Sequence, residues 1–204
     1  PITLNEINKD LTRLETITDR FSKIGSVPVL KNYQLNELLG SFLKYLEKRL
    51  PHKIEIIKNF PEDPIFVSAN KTLFEWAIEN LCRNATDAMK GNGRIVFEIN
   101  SNNYEVDILI KDYGHGIAKN KVNQVFLPGY TSKKSGWGLG LSLTKRIIEE
   151  YHKGKVFVSS SEENYGTTFC IRLNNIFFFF RFNNRVSIVV FFSIIYCFIF
   201  CWKF

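Results

Sequence analysis

This 204-residue sequence has few cysteines, no large excess of one charge over the other in its first 175 residues, and no secretory signal. Each of these features argues against a class of protein. The four cysteines have no paired spacing, which argues against a disulfide framework. Cys82 and Cys170 lie in apolar contexts typical of small core residues in a reducing compartment. Residues 1–175 contain 24 Lys and Arg against 20 Asp and Glu, a formal charge of +4 with the signs mixed. Nucleic-acid binding favours a basic stripe, so no nucleic-acid partner is expected. No N-terminal segment has the pattern of a signal peptide.

The remaining composition predicts a folded α+β domain. Hydrophobic residues make up 45% of the chain and charged residues 23%, which is enough apolar material for a core. Apolar spacings of three and four predict helices at 3–24, 35–50, 70–89 and 141–151, the third capped by Asn70. Alternating and β-branched runs predict strands at 53–58, 65–68, 94–100, 105–111, 156–160 and 167–173. Helices interspersed with strand pairs predict a two-layer α/β sandwich with a mixed or antiparallel sheet.

Residues 176–204 form a tail that differs in composition from everything before it. The tail contains no acid and 10 of the 19 Phe, and 22 of its 29 residues are apolar. The stretch 186–202 is uncharged, at the lower limit for crossing a bilayer, and lies between Arg185 and Lys203. Three interpretations are open: a non-native product of a shifted reading frame, a membrane anchor, or a packed or aggregation-prone segment.

Three polar side chains form a stripe on the helix that Asn70 caps. Asn80, Asn84 and Asp87 follow one another at i, i+4 and i+7, so they share one helix face. A polar stripe that borders a buried face needs partners, and a carboxamide oxygen is a good ligand for Mg²⁺. The alternative interpretation of this pattern is a solvated helix face without a ligand.

Two glycine-rich segments follow further along the chain. Asp-Tyr-Gly-His-Gly at 112–116 comes directly after a predicted strand. Its acid can accept a hydrogen bond from an exocyclic amine, and its glycines let the backbone approach a flat ring, although ordinary turns share this composition. Gly-Trp-Gly-Leu-Gly-Leu at 136–141 opens a helix, where backbone N–H groups can face an anion. This segment has no Gly-Lys-Ser/Thr of a P-loop, and no strand precedes it as in a Rossmann motif. Lys133, in the long connection before it, either reaches phosphate oxygens or is solvated.

Together and in this order, the motifs resemble the N, G1, F, G2 and G3 boxes of sensor histidine kinases. The matching segments are at 80–85, 112–116, 125–131, 136–141 and 166–169. The resemblance extends over residues 3–173. The amino-acid sequences of two segments, 19–26 and 145–152, resemble those of kinases of the Bacteroidetes type. It implies the Bergerat (GHKL) ATP-binding fold shared with gyrase, chaperone and mismatch-repair ATPases, preceded by a dimerisation-hairpin helix. It also implies ATP and Mg²⁺ as cofactors.

The resemblance implies roles for the residues at matching positions. Asn84 would ligate Mg²⁺ with Asn80 in support, and these two are the expected catalytic residues. Asp112 would bind the adenine amino group, and a lid at 126–135 would cover the phosphates. The other residues expected at the nucleotide are Asp87, Gly114, Gly116, Ile117, Lys133, Gly138, Leu139, Gly140, Leu141 and Thr167.

The implied activity is transfer of the γ-phosphoryl group of ATP to a histidine, in two-component signal transduction. The ATPase relatives carry a Glu where this chain has Asn80, a poor general base, so transfer is expected to prevail over hydrolysis. No histidine of this sequence suits a phosphoacceptor; the three are His52, His115 and His152. The acceptor is therefore expected on a hairpin helix upstream of the sequence given.

This interpretation divides the chain into three parts and implies partners. The expected parts are a truncated second hairpin helix at 1–26, a catalytic ATP-binding domain at 27–175 and the tail at 176–204. We expect a homodimer through the hairpin helices and a response regulator as partner. We also expect a cytoplasmic location, in a protein attached to the inner membrane by an upstream sensor region or, less favoured, by the tail.

Three other functions stay open at this point. A nucleotide-binding regulatory module without phosphotransfer is disfavoured by the intact Asn84, Asp112 and glycines. A related protein-serine kinase is disfavoured by the predicted helix at 3–24, which such proteins lack. A membrane-tethered interaction protein depends on the tail alone.

Overall fold

The computed structural model describes residues 28–131, 133 and 137–176. The helix predicted at 3–24 and residues 177–204 of the tail lie outside the described residues. The elements follow in the order β1 (Lys31–Gln34), α1 (Leu35–Glu47), β2 (Ile54–Asn59), β3 (Phe66–Ala69), α2 (Lys71–Ala88), β4 (Gly93–Ser101), β5 (Glu105–Asp112), α3 (Gly140–Arg146), β6 (Lys155–Glu162) and β7 (Gly166–Asn174). A 3₁₀ turn at Lys119–Lys121 lies in the long connection after β5, and a π turn at Ile147–Tyr151 continues α3.

Five strands form one sheet in the order β2-β4-β5-β7-β6. β2 and β4 are parallel, and every other neighbouring pair is antiparallel, which confirms the predicted mixed sheet. β1 and β3 form a separate antiparallel ribbon. β1 was not predicted because its sequence, Lys-Asn-Tyr-Gln, has no apolar alternation. β1 is a strand because it pairs with β3. A local sequence pattern does not predict this pairing.

The core lies between one face of the five-stranded sheet and the helices. Alternate residues of β4 and β5 are buried there, among them Ile95, Phe97, Ile108 and Ile110. Burying one such side chain contributes roughly 1.5–3 kcal/mol. This arrangement confirms the predicted two-layer α/β sandwich. None of the helices in the described part of the chain is long and apolar enough to cross a membrane.

Helix α2 begins and ends where its flanking residues predict. The Asn70 side chain accepts a hydrogen bond from the Leu73 N–H at 3.2 Å, which satisfies one of the free N–H groups of the first turn. At the other end Gly91, with φ +75°, donates its N–H to the Thr86 carbonyl. Glycine adopts this left-handed conformation without the steric cost of a Cβ atom. The helix therefore has a fixed length, which fixes the position of its polar stripe.

His152 joins the end of the α3 segment to the start of α2. Its Nε2 accepts a hydrogen bond from the Asn70 N–H at 3.0 Å. Its Nδ1 therefore carries the proton and donates to the Ile147 carbonyl at 2.8 Å. The ring is 5% exposed, and burial lowers its pKa. His152 is thus a structural residue, which agrees with the expectation that it is not a phosphoacceptor.

Candidate functional site

The polar stripe on α2 lies beside the start of α3. Asn80 and Asn84 are half-buried and Asp87 is exposed. The Asn80 side-chain N–H donates to the Gly140 carbonyl at 3.4 Å, and the same carbonyl accepts from the Thr144 hydroxyl at 2.9 Å. Asn80 therefore ties α2 to the end of the glycine-rich segment.

A lysine from the long connection joins the other two stripe residues. Lys133 Nζ lies 3.1 Å from Asn84 Oδ1 and 2.5 Å from Asp87 Oδ2. The side chains of Lys133 and Asp87 are 42% and 46% exposed, so the ion pair itself contributes only about 0–1 kcal/mol. Its geometry is more informative than its energy: the carboxamide and carboxylate oxygens converge on one point that a cation can occupy.

The donor set at this point suits a hard divalent cation with several outside ligands. In the described ranges no group of three or more His, Cys, Asp and Glu side chains could hold a metal ion. Magnesium usually keeps several waters and uses one or two protein oxygens together with substrate phosphates. The two oxygens supplied by Asn84 and Asp87 match that use.

Asp112 ends β5 inside the molecule. It is 3% exposed, and its Oδ1 accepts the Gly114 N–H at 2.8 Å. Burial raises the pKa of this carboxyl group, and hydrogen bonds from the Gly114 and Thr167 backbones partly oppose the rise. An acid that is buried with backbone donors on one side retains lone pairs for another donor. A ligand with an N–H group is the matching partner.

The glycines after Asp112 allow close packing that other residues would prevent. A Cβ atom on Gly114 would lie 2.5 Å from the Ala88 Cβ, so the chain passes directly against the end of α2. Gly116 has φ +69° and lies against the Glu162 backbone. Gly114 follows Asp112 by two residues, and Ala88 follows Asn84 by about 6 Å along the helix axis. The two polar clusters are therefore neighbours.

Ile117 and Thr167 meet beside Asp112 through a residue that the sequence analysis missed. Thr167 stands opposite Asp112 in the ladder of β5 and β7 and is 4% exposed. The Ser161 Oγ lies 2.9 Å from the Thr167 Oγ1 and accepts the Ile117 N–H at 2.7 Å. Only strand register could have found Ser161, because it faces Thr167 across the β6–β7 ladder.

The connection that leads into α3 is only partly described, and Gly129 and Gly138 meet across it. The Gly129 N–H donates to the Gly138 carbonyl at 3.0 Å, and Gly138 has φ +66° with the Gly129 backbone against it. Leu139 is 37% exposed, whereas Leu141 packs on the core. Gly140 lies at the first turn of α3, next to Asn80. Of the predicted lid at 126–135, residues 132, 134 and 135 lie outside the described ranges, as does residue 136 directly after it.

Comparison with known proteins places this arrangement in one family. Residues 69–175 match the family model described as histidine kinase-, DNA gyrase B- and HSP90-like ATPase. Sporulation kinase A of Bacillus subtilis is 30% identical over 166 residues, which cover 79% of this chain and 27% of that protein. The sensor histidine kinase WalK of the same organism is 28% identical over 187 residues, 84% of this chain and 30% of that protein. The chain thus spans about a third or less of the length of these relatives.

Solved structures agree with the sequence comparison. The catalytic domain of histidine kinase ThkA matches with a TM-score of 0.63 and 27% identity, over 71% of this chain and 95% of that domain. A structure of ThkA in complex with the response regulator TrrA matches with a TM-score of 0.67 and 26% identity, over 84% of this chain and 50% of that one. The chain therefore belongs to the family of histidine kinase-, DNA gyrase B- and HSP90-like ATPases and contains the ATP-binding catalytic domain of a sensor histidine kinase.

Proposed function

We propose that this chain is the catalytic part of a longer sensor histidine kinase that transfers the γ-phosphoryl group of ATP to a histidine. The bond from the γ-phosphorus to the bridging oxygen breaks and leaves ADP, and a bond to an imidazole nitrogen forms. The observation that carries the proposal is the convergence of the Asn84 and Asp87 oxygens on the Lys133 ammonium group, near the end of α2 against which the turn after the buried Asp112 packs. The cluster of Asn84, Asp87 and Lys133 suits phosphates with a metal ion. The surroundings of Asp112 suit the adenine base of the nucleotide.

The base is held at the end of β5 in this proposal. Asp112 accepts a hydrogen bond from the exocyclic amine, since its backbone donors leave lone pairs free. Gly114 and Gly116 bring the backbone close to the ring. Ile117 and Leu141 form apolar walls, both packed against the core. The adjacent Thr167 completes this end of the site.

The phosphates lie over the polar stripe of α2. Asn84 is the proposed Mg²⁺ ligand, with Asp87 beside it and Asn80 fixing the neighbouring backbone. Lys133 turns from these oxygens to the phosphates, and the N–H groups of Gly138, Leu139 and Gly140 face the same anion. Catalysis here consists of positioning and charge neutralisation, which is the usual requirement of phosphoryl transfer.

Water is a poor competitor for the phosphoryl group in this site. A general base that activates water needs a titratable side chain within hydrogen-bond reach. The Asn80 carboxamide is not titratable, and its N–H donates to the Gly140 carbonyl. This supports slow hydrolysis and transfer to a protein acceptor.

The acceptor and the partners belong to parts of the protein outside the described residues. His152 is buried with both ring nitrogens bonded, and His115 Nδ1 contacts the Gly116 carbonyl at 2.7 Å. We therefore propose an acceptor on an upstream hairpin helix, with 3–24 as the second hairpin helix and the dimer contact. ThkA forms a complex with a response regulator, and we propose such a regulator as the next acceptor. A cytoplasmic domain beneath an inner-membrane sensor region is part of the same proposal.

Titration of the 204-residue chain with ATP tests the proposal first. We expect ATP binding by calorimetry that tightens at least about tenfold with Mg²⁺, since Asn84 and Asp87 would hold the metal and its charge would offset that of the phosphates. Asp112→Ala should abolish binding, whereas Glu62→Ala, an exposed acid away from the site, should not. The protein with ATP and a supplied acceptor hairpin should then form phosphohistidine. Binding without any transfer would leave the regulatory module as the function, and no binding by folded protein would contradict the proposal.

A further inference from the structure

A surface groove of about 210 Å³ lies between α1 and the first half of α2. Its lining includes the buried side chains of Phe42 and Leu73, which are 8% and 3% exposed. The rings of Tyr45 and Trp76 also line it; Tyr45 is 52% exposed and Trp76 is half-buried. A concave surface with aromatic and aliphatic side chains is typical of a contact site for another apolar element.

The α2 side of this groove is acidic. Glu75 and Glu79 both line it and are half-buried, and Arg49 lies on the α1 side. Burial raises the pKa of Glu75, and the charge of Lys71, whose Nζ lies 3.9 Å away, opposes the rise only in part. A carboxylate can accept several hydrogen bonds, so Glu75 can take a further basic partner. The groove therefore suits an apolar segment with basic side chains.

The predicted helix at 3–24, which lies outside the described residues, changes its apolar face halfway along. Its first half has apolar residues at a spacing of three and four, namely Leu4, Ile7, Leu11 and Leu14. The same spacing would next place an apolar residue at 18, but residue 18 is Thr, and Ile17 and Ile24 are apolar instead. This change turns the apolar stripe by about 60° around the helix axis. The two halves of the helix therefore face different partners.

The second half of this helix combines isoleucine with arginine. Arg13, Ile17, Arg20 and Ile24 follow one another at i, i+4, i+7 and i+11, so they share one helix face. This face offers apolar side chains to the groove lining and positive charges to its acidic side.

The connection between the helix and the domain keeps this half close to the groove. The Val29 carbonyl accepts a hydrogen bond from the Asn70 side chain at 3.2 Å. Asn70 precedes Thr72, at one end of the groove, by two residues. The five residues from Ile24 to Val29 span at most about 18 Å. The end of the predicted helix therefore lies within reach of the groove in the same chain.

We propose that residues 17–24 dock in the groove between α1 and α2 of the same chain, with Arg20 beside Glu75. As helices, the ranges 17–24 and 72–79 each span about 10 Å, so the segment matches the length of the groove. Because residue 24 is tied near the start of α2, the docked helix runs antiparallel to α2. Docking leaves residues 4–14 for the proposed dimer contact and holds the catalytic domain in one orientation on the hairpin. It depends on the predicted helix at 3–24 and not on nucleotide binding.

Engineered disulfide formation in the 204-residue chain tests the docking, and the native cysteines must first be made silent. Cys197→Ser and Cys201→Ser remove the two thiols of the tail. Cys82 and Cys170 are buried, and burial raises the pKa of both thiols. A thiol reacts as its thiolate, so these two should not interfere.

In this background, Ile24→Cys with Thr72→Cys should form a disulfide within one chain under a mild oxidant. Such a bond requires Cα atoms about 4.4–6.8 Å apart, and peptide mapping by mass spectrometry identifies it. Leu4→Cys with Thr72→Cys is the control. Residue 4 lies about 30 Å from residue 24 along the predicted helix, so this pair should not form the bond.

Tethering through residues 25–28 also keeps residue 24 near α2, so the rate of bond formation must separate docking from tethering. Ile17→Asp should slow the bond between residues 24 and 72 at least about tenfold, because the burial of one isoleucine is lost. Leu4→Asp, in the first half of the helix, should leave the rate unchanged. Arg20→Glu should also slow the bond, because it places an acid beside Glu75. Arg20→Glu together with Glu75→Arg should restore the rate.

Three results would overturn the docking. The first is the same rate with and without Ile17→Asp, which tethering alone would produce. The second is a bond between two chains that is lost on dilution, which would make a second copy the occupant. The third is no bond in a folded protein. Titration of the same samples with ATP reports on the proposed function separately, so docking without ATP binding would contradict that function and leave the docking intact.

Discussion

At the scale of single residues, the site uses side chains whose burial opposes stability. Burial raises the pKa of Asp112, so the folded chain binds a proton there more readily than the unfolded chain does. Stability from this group is therefore fully present below the ordinary pKa of Asp and is lost as pH rises from that value through the raised pKa of the folded state. A desolvated carboxyl oxygen makes a stronger hydrogen bond to a ligand, which is the function proposed for Asp112.

Two glycines illustrate opposite effects of the same substitution. In Gly114→Ala the new Cβ would lie 2.5 Å from the Ala88 Cβ, so the turn must move away from α2. We expect ATP affinity to fall by at least about tenfold in calorimetric titration. In Gly40→Ala the Cβ meets nothing within 4 Å in the middle of α1. The free energy of unfolding in urea should rise by about 0.5–1 kcal/mol, with ATP affinity unchanged. A Gly114→Ala protein with normal affinity would show that the turn tolerates displacement.

At the scale of elements, α2 carries the metal-facing stripe and its start is fixed from outside. Asn70 caps the helix with its side chain, and its N–H is bound by His152 at the end of the α3 segment. This contact connects the stripe to the helix that follows the glycine-rich segment. The relative position of the two helices thus depends on a neutral imidazole.

The buried His152 should make stability depend on pH. Its pKa is lowered by burial, and protonation would put a donor on Nε2 opposite the Asn70 N–H. The unfolded chain then binds more protons below about pH 6.5, so the free energy of unfolding falls as pH falls through that value. Urea unfolding of wild type should show this loss between pH 7.5 and 5.5.

A variant without the imidazole identifies the source of that loss. His152→Ala should lower the free energy of unfolding at pH 7.5 by about 2–3 kcal/mol, because two buried hydrogen bonds are lost. Its dependence on pH should be weaker than that of the wild type. His52→Ala, at an exposed position, should behave like the wild type. Identical slopes for His152→Ala and wild type would assign the pH dependence to other groups.

Local patterns in the sequence were sufficient for most elements. The apolar period of three and four gives α1 and α2, whose buried residues repeat at that spacing. Helix α1 ends at Glu47 rather than at residue 50. Before Pro51 the chain changes to a tighter turn, in which the Arg49 N–H donates to the Leu46 carbonyl three residues earlier. The helix predicted at 141–151 begins one residue earlier and changes to a π turn at Ile147. His152 accompanies that change by bonding the Ile147 carbonyl within the same segment, while its other ring nitrogen makes the tertiary contact to the Asn70 N–H.

At the scale of the whole molecule, Lys133 connects two segments that are 46 residues apart in sequence. The lysine reaches α2 from the long connection and lies where we propose that Mg²⁺ and phosphates bind. Its contacts are solvent-exposed, so they add little to stability. The functional consequence should be larger than the structural one.

Lys133→Ala separates these two contributions. We expect the free energy of unfolding to change by less than about 1 kcal/mol. The dissociation constant for Mg-ATP should rise about tenfold, because one charge-assisted contact to a phosphate is lost. Lys119→Ala, an exposed lysine in the 3₁₀ turn, serves as the control. Unchanged nucleotide affinity in Lys133→Ala would place the lysine outside the binding site.

The sequence by itself determined the helices with apolar periodicity, the alternating strands and the motifs that resemble those of sensor histidine kinases. These features are local, since a hydrophobic period or a glycine beside an acid acts through neighbouring residues. Only the tertiary structure decided that Asn84, Asp87 and Lys133 share one point, that β1 is a strand and that Ser161 faces Thr167. Each of these depends on strand pairing or loop closure between distant segments, and a local pattern contains no information about which segments meet.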